Sequence, residues 1–134
     1  MTTPQPDKTV WPTLIYADAT AAISFLVDTF GFVAALVVPG ATTGMIDHAQ
    51  LMWPEGGGVM LSSAGRPGNP FSMRPTGSAS VYVVTDEPDR LYAQAVAARL
   101  PIVADLADED HGSRGFSVSD PEGNIGSFGT YRGH

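Results

Sequence analysis

Short stretches in which apolar and polar residues alternate recur along the chain, and this period of two is typical of β-strands that bury one face. In one of them Ala49 and Leu51 alternate with His48 and Gln50. Clusters of glycine and proline separate the stretches and indicate turns. The pattern predicts strands at 10–17, 32–38, 45–53, 58–63, 78–84 and 101–106, followed by a closing hairpin at 116–131.

Two other stretches carry apolar residues at helical spacing. Asp18 can cap the start of the first helix and Gly31 can end it in the left-handed conformation. Thr85 or Asp86 is the predicted cap of the second helix. The pattern therefore predicts one helix at 19–30 and a second that ends near residue 100.

The closing hairpin is predicted by its turn, Asp-Pro-Glu-Gly-Asn at 120–124. Pro121 sets φ for the turn, Gly123 and Asn124 tolerate positive φ, and Asp120 can accept a hydrogen bond from the turn's own backbone. Such a turn between two alternating runs indicates a pair of antiparallel strands.

The same turn chemistry occurs once before. Pro-Glu-Gly at 54–56 precedes the later copy by 67 residues, and a strand ending in Asp18 is matched 68 residues on by one ending in Asp86. Two correspondences at nearly one period predict a duplicated module of one strand, one helix and three strands. We therefore expect a flexible tail at 1–9, a first module at 10–63, a linker at 64–77 and a second module at 78–131.

The linker is rich in glycine and proline and has no period. Phe71 and Met73 are unusual residues for an exposed connection. We expect them either to pack against the neighbouring module or to fold over a cleft as a lid.

Composition narrows the function classes. The 134 residues are 43% hydrophobic, which is enough for one compact domain or for two small modules with a shared core. The net charge of −7 disfavours a nucleic-acid partner and mildly favours a cationic or neutral ligand. The absence of cysteine excludes thiol chemistry. With no secretory signal and no apolar run long enough for a bilayer, we expect a cytoplasmic protein without a membrane partner.

These features together resemble the vicinal oxygen chelate superfamily, which includes glyoxalase I, the extradiol dioxygenases and the bleomycin-resistance proteins. The resemblance rests on 108–124, where a glycine, a basic residue and alternating apolar residues lead into the turn, and on the helix sequence at 22–32. It covers nearly the whole chain from Val10 to Tyr131. It implies an α+β fold of two βαβββ modules whose mixed sheets curve around a cup, in a homodimer.

The resemblance does not settle activity, because such folds host both enzymes and drug-binding proteins. Metal-dependent members carry a His, Gln or Glu ligand on the first and fourth strands of each module. Matching the motifs places these four positions at Trp11, Met60, Ser80 and Ser127. A divalent ion needs several nitrogen or oxygen donors, so we expect no metal and no other cofactor, and we do not expect glyoxalase or dioxygenase activity.

The residues that can face the cup are few. His48 and Gln50 share one side of their strand, which is either a ligand-binding face or a solvated one, and Trp11 either walls the cup or packs. Tyr82 is the best candidate for an aromatic residue inside it. The predicted ligand-binding residues are Trp11, Thr13, His48, Gln50, Met60, Ser62, Ser80, Tyr82 and Ser127.

The predicted function is binding of a small organic molecule, cationic or aromatic, in the cup of a homodimer, as in the antibiotic-sequestering branch of the superfamily. One alternative is a metal-independent enzyme of the lyase or isomerase type, with His48 or His111 as its acid–base group. Another is a purely structural or regulatory dimer whose cup is filled by side chains. His111 lies in an acidic loop, where a solvated histidine is the competing interpretation.

Overall fold

The computed structural model describes residues 10–133, without the side chain of His111, so the predicted tail at 1–9 lies outside it. Residues 10–133 form eight strands and two α-helices. In chain order these are β1 (Thr13–Tyr16), α1 (Ala19–Phe25), β2 (Val33–Pro39), β3 (Ile46–Met52), β4 (Gly58–Ser63), β5 (Ser80–Val84), α2 (Pro88–Ala97), β6 (Ile102–Asp108), β7 (Arg114–Ser119) and β8 (Ile125–Gly129).

The strands make two four-stranded sheets of identical topology. Sheet 1 has the order β1-β4-β3-β2 and sheet 2 the order β5-β8-β7-β6. In each sheet the first and fourth strands of the module pair in parallel, and the other neighbours pair antiparallel. The predicted duplication into two βαβββ modules is confirmed. The four strands predicted at each module are present, although most of their ends shift by one to three residues.

The first helix begins and ends where the sequence indicates. The Asp18 carboxylate accepts a hydrogen bond from the Ala21 amide at 3.0 Å, and Gly31 ends the helix at φ 89°. Its final turn, Leu26–Phe30, is π-helical. This wider turn brings Leu26 and Phe30 to the buried side.

The second helix differs from the prediction at both ends. Glu87 is its N-cap, Pro88 is its first residue, and it ends at Ala97 rather than near residue 100. Proline is favoured at the first helical position because its missing N–H would have no helical acceptor there. Thr85, one of the predicted caps, instead accepts a hydrogen bond from the Glu87 amide at 3.0 Å.

Both modules share one hydrophobic core. Phe128 of sheet 2 stacks on Phe30 from the first helix, with ring centroids 4.3 Å apart, and on Phe116 at 5.4 Å. Phe32 packs against Trp53 at 4.9 Å on the side of the first module. The helices and the inward faces of both sheets surround this core, so the opposite face of each sheet points away from it.

The two Pro-Glu-Gly turns join the modules reciprocally. Glu122 accepts hydrogen bonds from the amides of Ala17 and Asp18 at 2.7 and 2.8 Å, at the strand–helix junction of the first module. Glu55 accepts one from the amide of Asp86 at 3.2 Å, at the same junction of the second. Each module therefore caps the helix entrance of the other.

The linker is more ordered than its composition suggests. Its residues 70–73 form a 3-10 turn, and Ser72 within it is buried and bonded to the amide of Arg66 at 2.9 Å. Phe71 and Met73 are 67% and 60% exposed, so the expected packing against the neighbouring module is wrong for this chain by itself. Among the described residues, no helix is long and apolar enough to cross a membrane.

Candidate functional site

The outward faces of the two sheets carry most of the residues predicted to bind a ligand. In sheet 1 the strand register places Thr13 beside Met60, and Met60 beside Gln50. Their chain neighbours Leu14, Leu61 and Leu51 are buried in the core. Because side chains alternate along a strand, Thr13, Met60 and Gln50 point away from the core. We call this surface open face 1.

The corresponding surface of sheet 2 is open face 2. Its central row runs from Tyr82 through Ser127 and Ser117 to Ala104. The next residues along β7 and β8 on this face, Gly115 and Gly129, lie opposite each other. Open face 2 therefore combines hydroxyl groups, one aromatic side chain and a patch without side chains.

On open face 1 the polar groups are partly engaged with the protein itself. The Ser62 hydroxyl accepts a hydrogen bond from Arg66 Nη2 at 3.1 Å, and Ser62 is only 5% exposed. The same guanidinium donates to the Ser63 carbonyl at 3.0 Å and lies 3.8 Å from Asp47 Oδ1. The Gln50 amide contacts the sulfur of Met52 at 3.5 Å. Ser62 is thus covered by Arg66.

Two further predicted residues lie at the margins of these faces. Trp11 precedes β1 and lies against Gly58, where a Cβ would come within 2.9 Å of Trp11 Cζ3. Gly58 is on the same side of β4 as Met60, so the indole borders open face 1. Ser80 is exposed at the start of β5.

Open face 2 contains a hollow of about 320 Å³. Tyr82 and Ser127 are the predicted residues that line it. The Ser117 and Ser127 hydroxyls are 2.7 Å apart and hydrogen-bonded on its floor. The lining residues are Tyr82, Ala104, Glu109, Ser113, Arg114, Gly115, Phe116, Ser117, Ser127, Phe128, Gly129 and Tyr131.

Tyr82 is held at one side of this hollow. It is 49% exposed, and its hydroxyl donates to the Tyr131 carbonyl oxygen at 2.8 Å. Partial burial raises the pKa of Tyr82, which keeps the phenol neutral and able to donate.

The charges at the rim are unequal. Arg114 is held by Asp89 at 2.8 Å and by Asp108 at 3.1 Å, and these hydrogen bonds raise the pKa of Arg114 above its usual value. Its charge is therefore largely balanced by two carboxylates. Glu109 has no hydrogen bond or ion pair from its side chain to any described residue, so the rim of the hollow has a net acidic character.

The two candidate acid–base residues, His48 and His111, belong to different modules. His48 lies on β3 with open face 1, on the other sheet from the hollow, and its side chain makes no hydrogen bond within the described part of the chain. His111 falls in the 3-10 turn Asp110–Gly112, and its side chain lies outside the described residues. Within the described residues, no hydrogen-bonded nucleophile or orienting group accompanies the His48 imidazole.

The four positions matched by motif to the metal ligands of relatives, Trp11, Met60, Ser80 and Ser127, lie on or beside the two open faces. Across the sheets, Met60 pairs with Thr13 and Ser127 pairs with Tyr82. Two hydroxyls, an indole and a thioether do not fit a divalent ion, which prefers imidazole, carboxylate or thiolate donors. Within residues 10–133, the His111 side chain aside, no three His, Cys, Asp or Glu residues are grouped as metal ligands.

Sequence reasoning missed Ser117, Gly129 and Tyr131. The alternation of Phe116 and Val118 already indicates that Ser117 faces outward, so that residue was predictable. Gly129 and Tyr131 belong to the site because the Tyr82 side chain extends to them, and no local pattern reports that contact.

Comparison with known protein families agrees with the fold of two βαβββ modules. The family model described as the Glyoxalase/Bleomycin resistance protein/Dioxygenase superfamily matches residues 8–126. The chain belongs to this superfamily. Comparison with curated proteins gave no match.

Solved structures of superfamily members and related proteins have the same fold. TioX from Micromonospora sp. ML1 is 30% identical with a TM-score of 0.78, and the match covers 94% of this chain and 100% of TioX. Lactoylglutathione lyase from Agrobacterium tumefaciens is 20% identical with a TM-score of 0.67, covering 93% and 94% of the two chains. A glyoxalase/bleomycin resistance protein from Streptomyces sp. CB03234 is 22% identical with a TM-score of 0.63, covering 87% and 94%.

Proposed function

We propose that this superfamily member binds a small organic molecule, aromatic or cationic, and sequesters it without chemical change. The observation that carries the proposal is the hollow of open face 2, whose floor offers a hydroxyl pair beside a half-exposed tyrosine. Pockets that combine apolar surface with a few convergent polar groups are typical of small-molecule sites. The acidic rim favours a positive group on the ligand.

The donor set supports binding over metal-dependent catalysis. The residues matched by motif to the metal ligands of relatives, Trp11, Met60, Ser80 and Ser127, do not suit a divalent ion. The hydroxyl pair can instead accept and donate hydrogen bonds to a polar group on the ligand.

We further propose a two-fold symmetric dimer in which open face 1 of each copy lies over open face 2 of the other and closes its hollow. Every residue of β2 is exposed, including four large apolar ones, Val33, Leu36, Val37 and Val38. Monomeric proteins rarely leave such a patch open. Leu36 lies beside Gln50 on open face 1, so a partner that covers β2 would also bring its own sheet against this face.

Calorimetric titration with a panel of aromatic and cationic compounds tests binding. We expect saturable binding that Ser117→Ala and Ser127→Ala each weaken about three- to tenfold, because each removes one hydrogen bond. Ser78→Ala is the matched control, since its hydroxyl bonds only the Pro75 carbonyl in the linker. Mass spectrometry should recover every bound compound unchanged.

If the protein converts a bound compound and His48→Ala or His111→Ala abolishes that conversion, the protein is the metal-independent enzyme and the binding proposal is wrong.

Analytical ultracentrifugation tests whether a second copy binds. We expect a dimer in the native chain and a monomer in Leu36→Glu, because a carboxylate would be buried in the interface. A native monomer would refute the closing partner.

A further inference from the structure

The Tyr82 side chain exposes its ring to the hollow, whereas its hydroxyl hydrogen is bonded to the protein. The hydroxyl hydrogen is already donated to the Tyr131 carbonyl oxygen at 2.8 Å. The side chain nevertheless remains 49% exposed on a face that lines the hollow. A tyrosine whose donor is engaged with the protein and whose ring is open can still stack with a planar group.

Gly129 fixes how the ring lies. A Cβ at Gly129 would come within 2.8 Å of the Tyr82 hydroxyl oxygen. Tyr82 is paired with Ser127, two residues before Gly129 on the same side of β8. The side chain therefore leans along the sheet from Ser127 over Gly129, and only glycine leaves room for it.

Tyr131 supplies a second aromatic side chain to the same hollow, and its backbone is anchored on both sides. Before it, the Thr130 amide donates to the Arg114 carbonyl at 3.0 Å, which extends the pairing of β7 and β8. After it, Arg132 forms an ion pair with Asp86 at 2.6 Å. The Tyr131 side chain is 47% exposed. The C-terminal segment thus has a defined path past the hollow.

We propose that Tyr82 and Tyr131 form an aromatic clamp that selects ligands with a planar ring, and that the Tyr82 hydroxyl positions the C-terminal segment instead of binding the ligand. This rests on the proposed function and names the part of the ligand that the hollow recognises. Aromatic side chains with few rotatable bonds provide contact area at a low entropic cost. The hydrogen bond between the two residues lowers that cost further.

A matched pair of probes tests whether the hollow prefers a planar ring. 2-(Aminomethyl)naphthalene and its fully saturated counterpart carry the same charge and carbon skeleton, but only the first is flat. We expect the native chain to bind the aromatic amine about tenfold more tightly by calorimetry, a ratio typical of one good stacking contact. Equal affinities would overturn the clamp.

Variants of Tyr82 distinguish the contribution of its ring to ligand binding from the contribution of its hydroxyl. Tyr82→Leu should weaken the aromatic amine about tenfold and abolish the preference over the saturated one, whereas Tyr82→Phe should cost about threefold or less. Tyr131→Leu should cost about fivefold. Tyr92→Phe is the control, because it removes a tyrosine hydroxyl bonded to Asp105 outside the hollow. If Tyr82→Phe loses as much as Tyr82→Leu, the hydroxyl binds the ligand and the clamp is wrong.

Gly129→Ala tests the geometry with both rings retained. The added methyl displaces the Tyr82 hydroxyl, so we expect the preference for the flat amine to fall at least threefold while the thermal midpoint confirms a folded chain. An unchanged preference would contradict the proposed path of the ring.

If other compounds bind and neither Tyr82→Leu nor Tyr131→Leu changes their affinity, the clamp fails while the binding function stands. If nothing binds, both fail.

Discussion

The two Pro-Glu-Gly turns have the same chemistry and the same position in their modules, yet they hold the protein together unequally. Glu122 accepts two short backbone hydrogen bonds from the first module, whereas Glu55 accepts one longer bond and lies 3.7 Å from Arg132. The residues that begin the turns differ more. Asp120 accepts the Tyr16 hydroxyl at 2.7 Å, and its counterpart Trp53 donates to the Val84 carbonyl at 2.8 Å.

The difference shows how a duplicated fold keeps a contact while changing its chemistry. Tyr16 and Val84 occupy equivalent positions at the ends of β1 and β5. One contact uses a carboxylate and a phenol, and the other uses an indole and a main-chain carbonyl. The open faces have diverged in the same way, with methionine and Gln50 on one and glycine, serine and Tyr82 on the other. Each module thus keeps the place of the contact, although the contact and the outward face both differ in chemistry.

The largest expected effect comes from removing the carboxylate of the second turn. Asp120 accepts four hydrogen bonds, from the Tyr16 hydroxyl, the amides of Glu122 and Asn124, and the Asn124 side chain. Asp120→Ala should lower the free energy of unfolding by about 3 kcal/mol, because Tyr16 is buried and loses its acceptor. Trp53→Phe should cost only about 1–2 kcal/mol. Urea denaturation at pH 7 measures both.

Asp28→Ala is the control for that comparison, because Asp28 is exposed on the first helix, and we expect less than about 0.5 kcal/mol. Equal losses for Asp120→Ala and Trp53→Phe would show that the two turns contribute alike.

The second prediction concerns alkaline pH, to which only the second turn's contact is sensitive. Burial, followed by the hydrogen bond to Asp120, raises the pKa of Tyr16 above the ordinary value of 10.0. Above pH 10 the unfolded chain loses this proton and the folded chain keeps it, so stability falls as pH rises. The contribution is about 1.4 kcal/mol per pH unit.

Urea denaturation between pH 9 and 11.5 should show this fall in stability in the native chain. Tyr16→Phe should reduce the slope of stability against pH by the contribution of about one proton. Tyr92→Phe should change the slope less, because the pKa of Tyr92 is raised mainly by an exposed hydrogen bond to Asp105. A native slope unaffected by Tyr16→Phe would be inconsistent with a buried contact.

Glu122 and Glu55 should differ by less than these contacts do. Glu122→Gln leaves one acceptor where the carboxylate has two, so we expect a loss of about 1 kcal/mol. Glu55→Gln should lose less than about 0.5 kcal/mol, because its one bond is long and its ion pair is exposed to solvent. Thermal and urea unfolding of both variants and of the double variant checks this. A greater loss for Glu55→Gln would reverse the ranking.

Much of the fold was predictable because its signals are local. Alternation located the strands, Asp18 and Gly31 marked the ends of the first helix, and the repeated turn revealed two modules. The second helix was placed less well, since Thr85 and Asp86 are both good caps by type. Only the path of the chain made Glu87 the cap and Pro88 the first helical residue. Of the predicted site residues, Tyr82 and Ser127 line the hollow.

The number, order and type of the elements follow from local signals, because periodicity and turn chemistry act over a few residues. The contacts between those elements follow instead from how the folded chain packs. That Glu122 caps the helix of the other module, that Arg66 covers Ser62, and that Tyr82 reaches Tyr131 all depend on distances between segments far apart in the chain. Those distances follow from packing both modules on one core, and no local pattern encodes them.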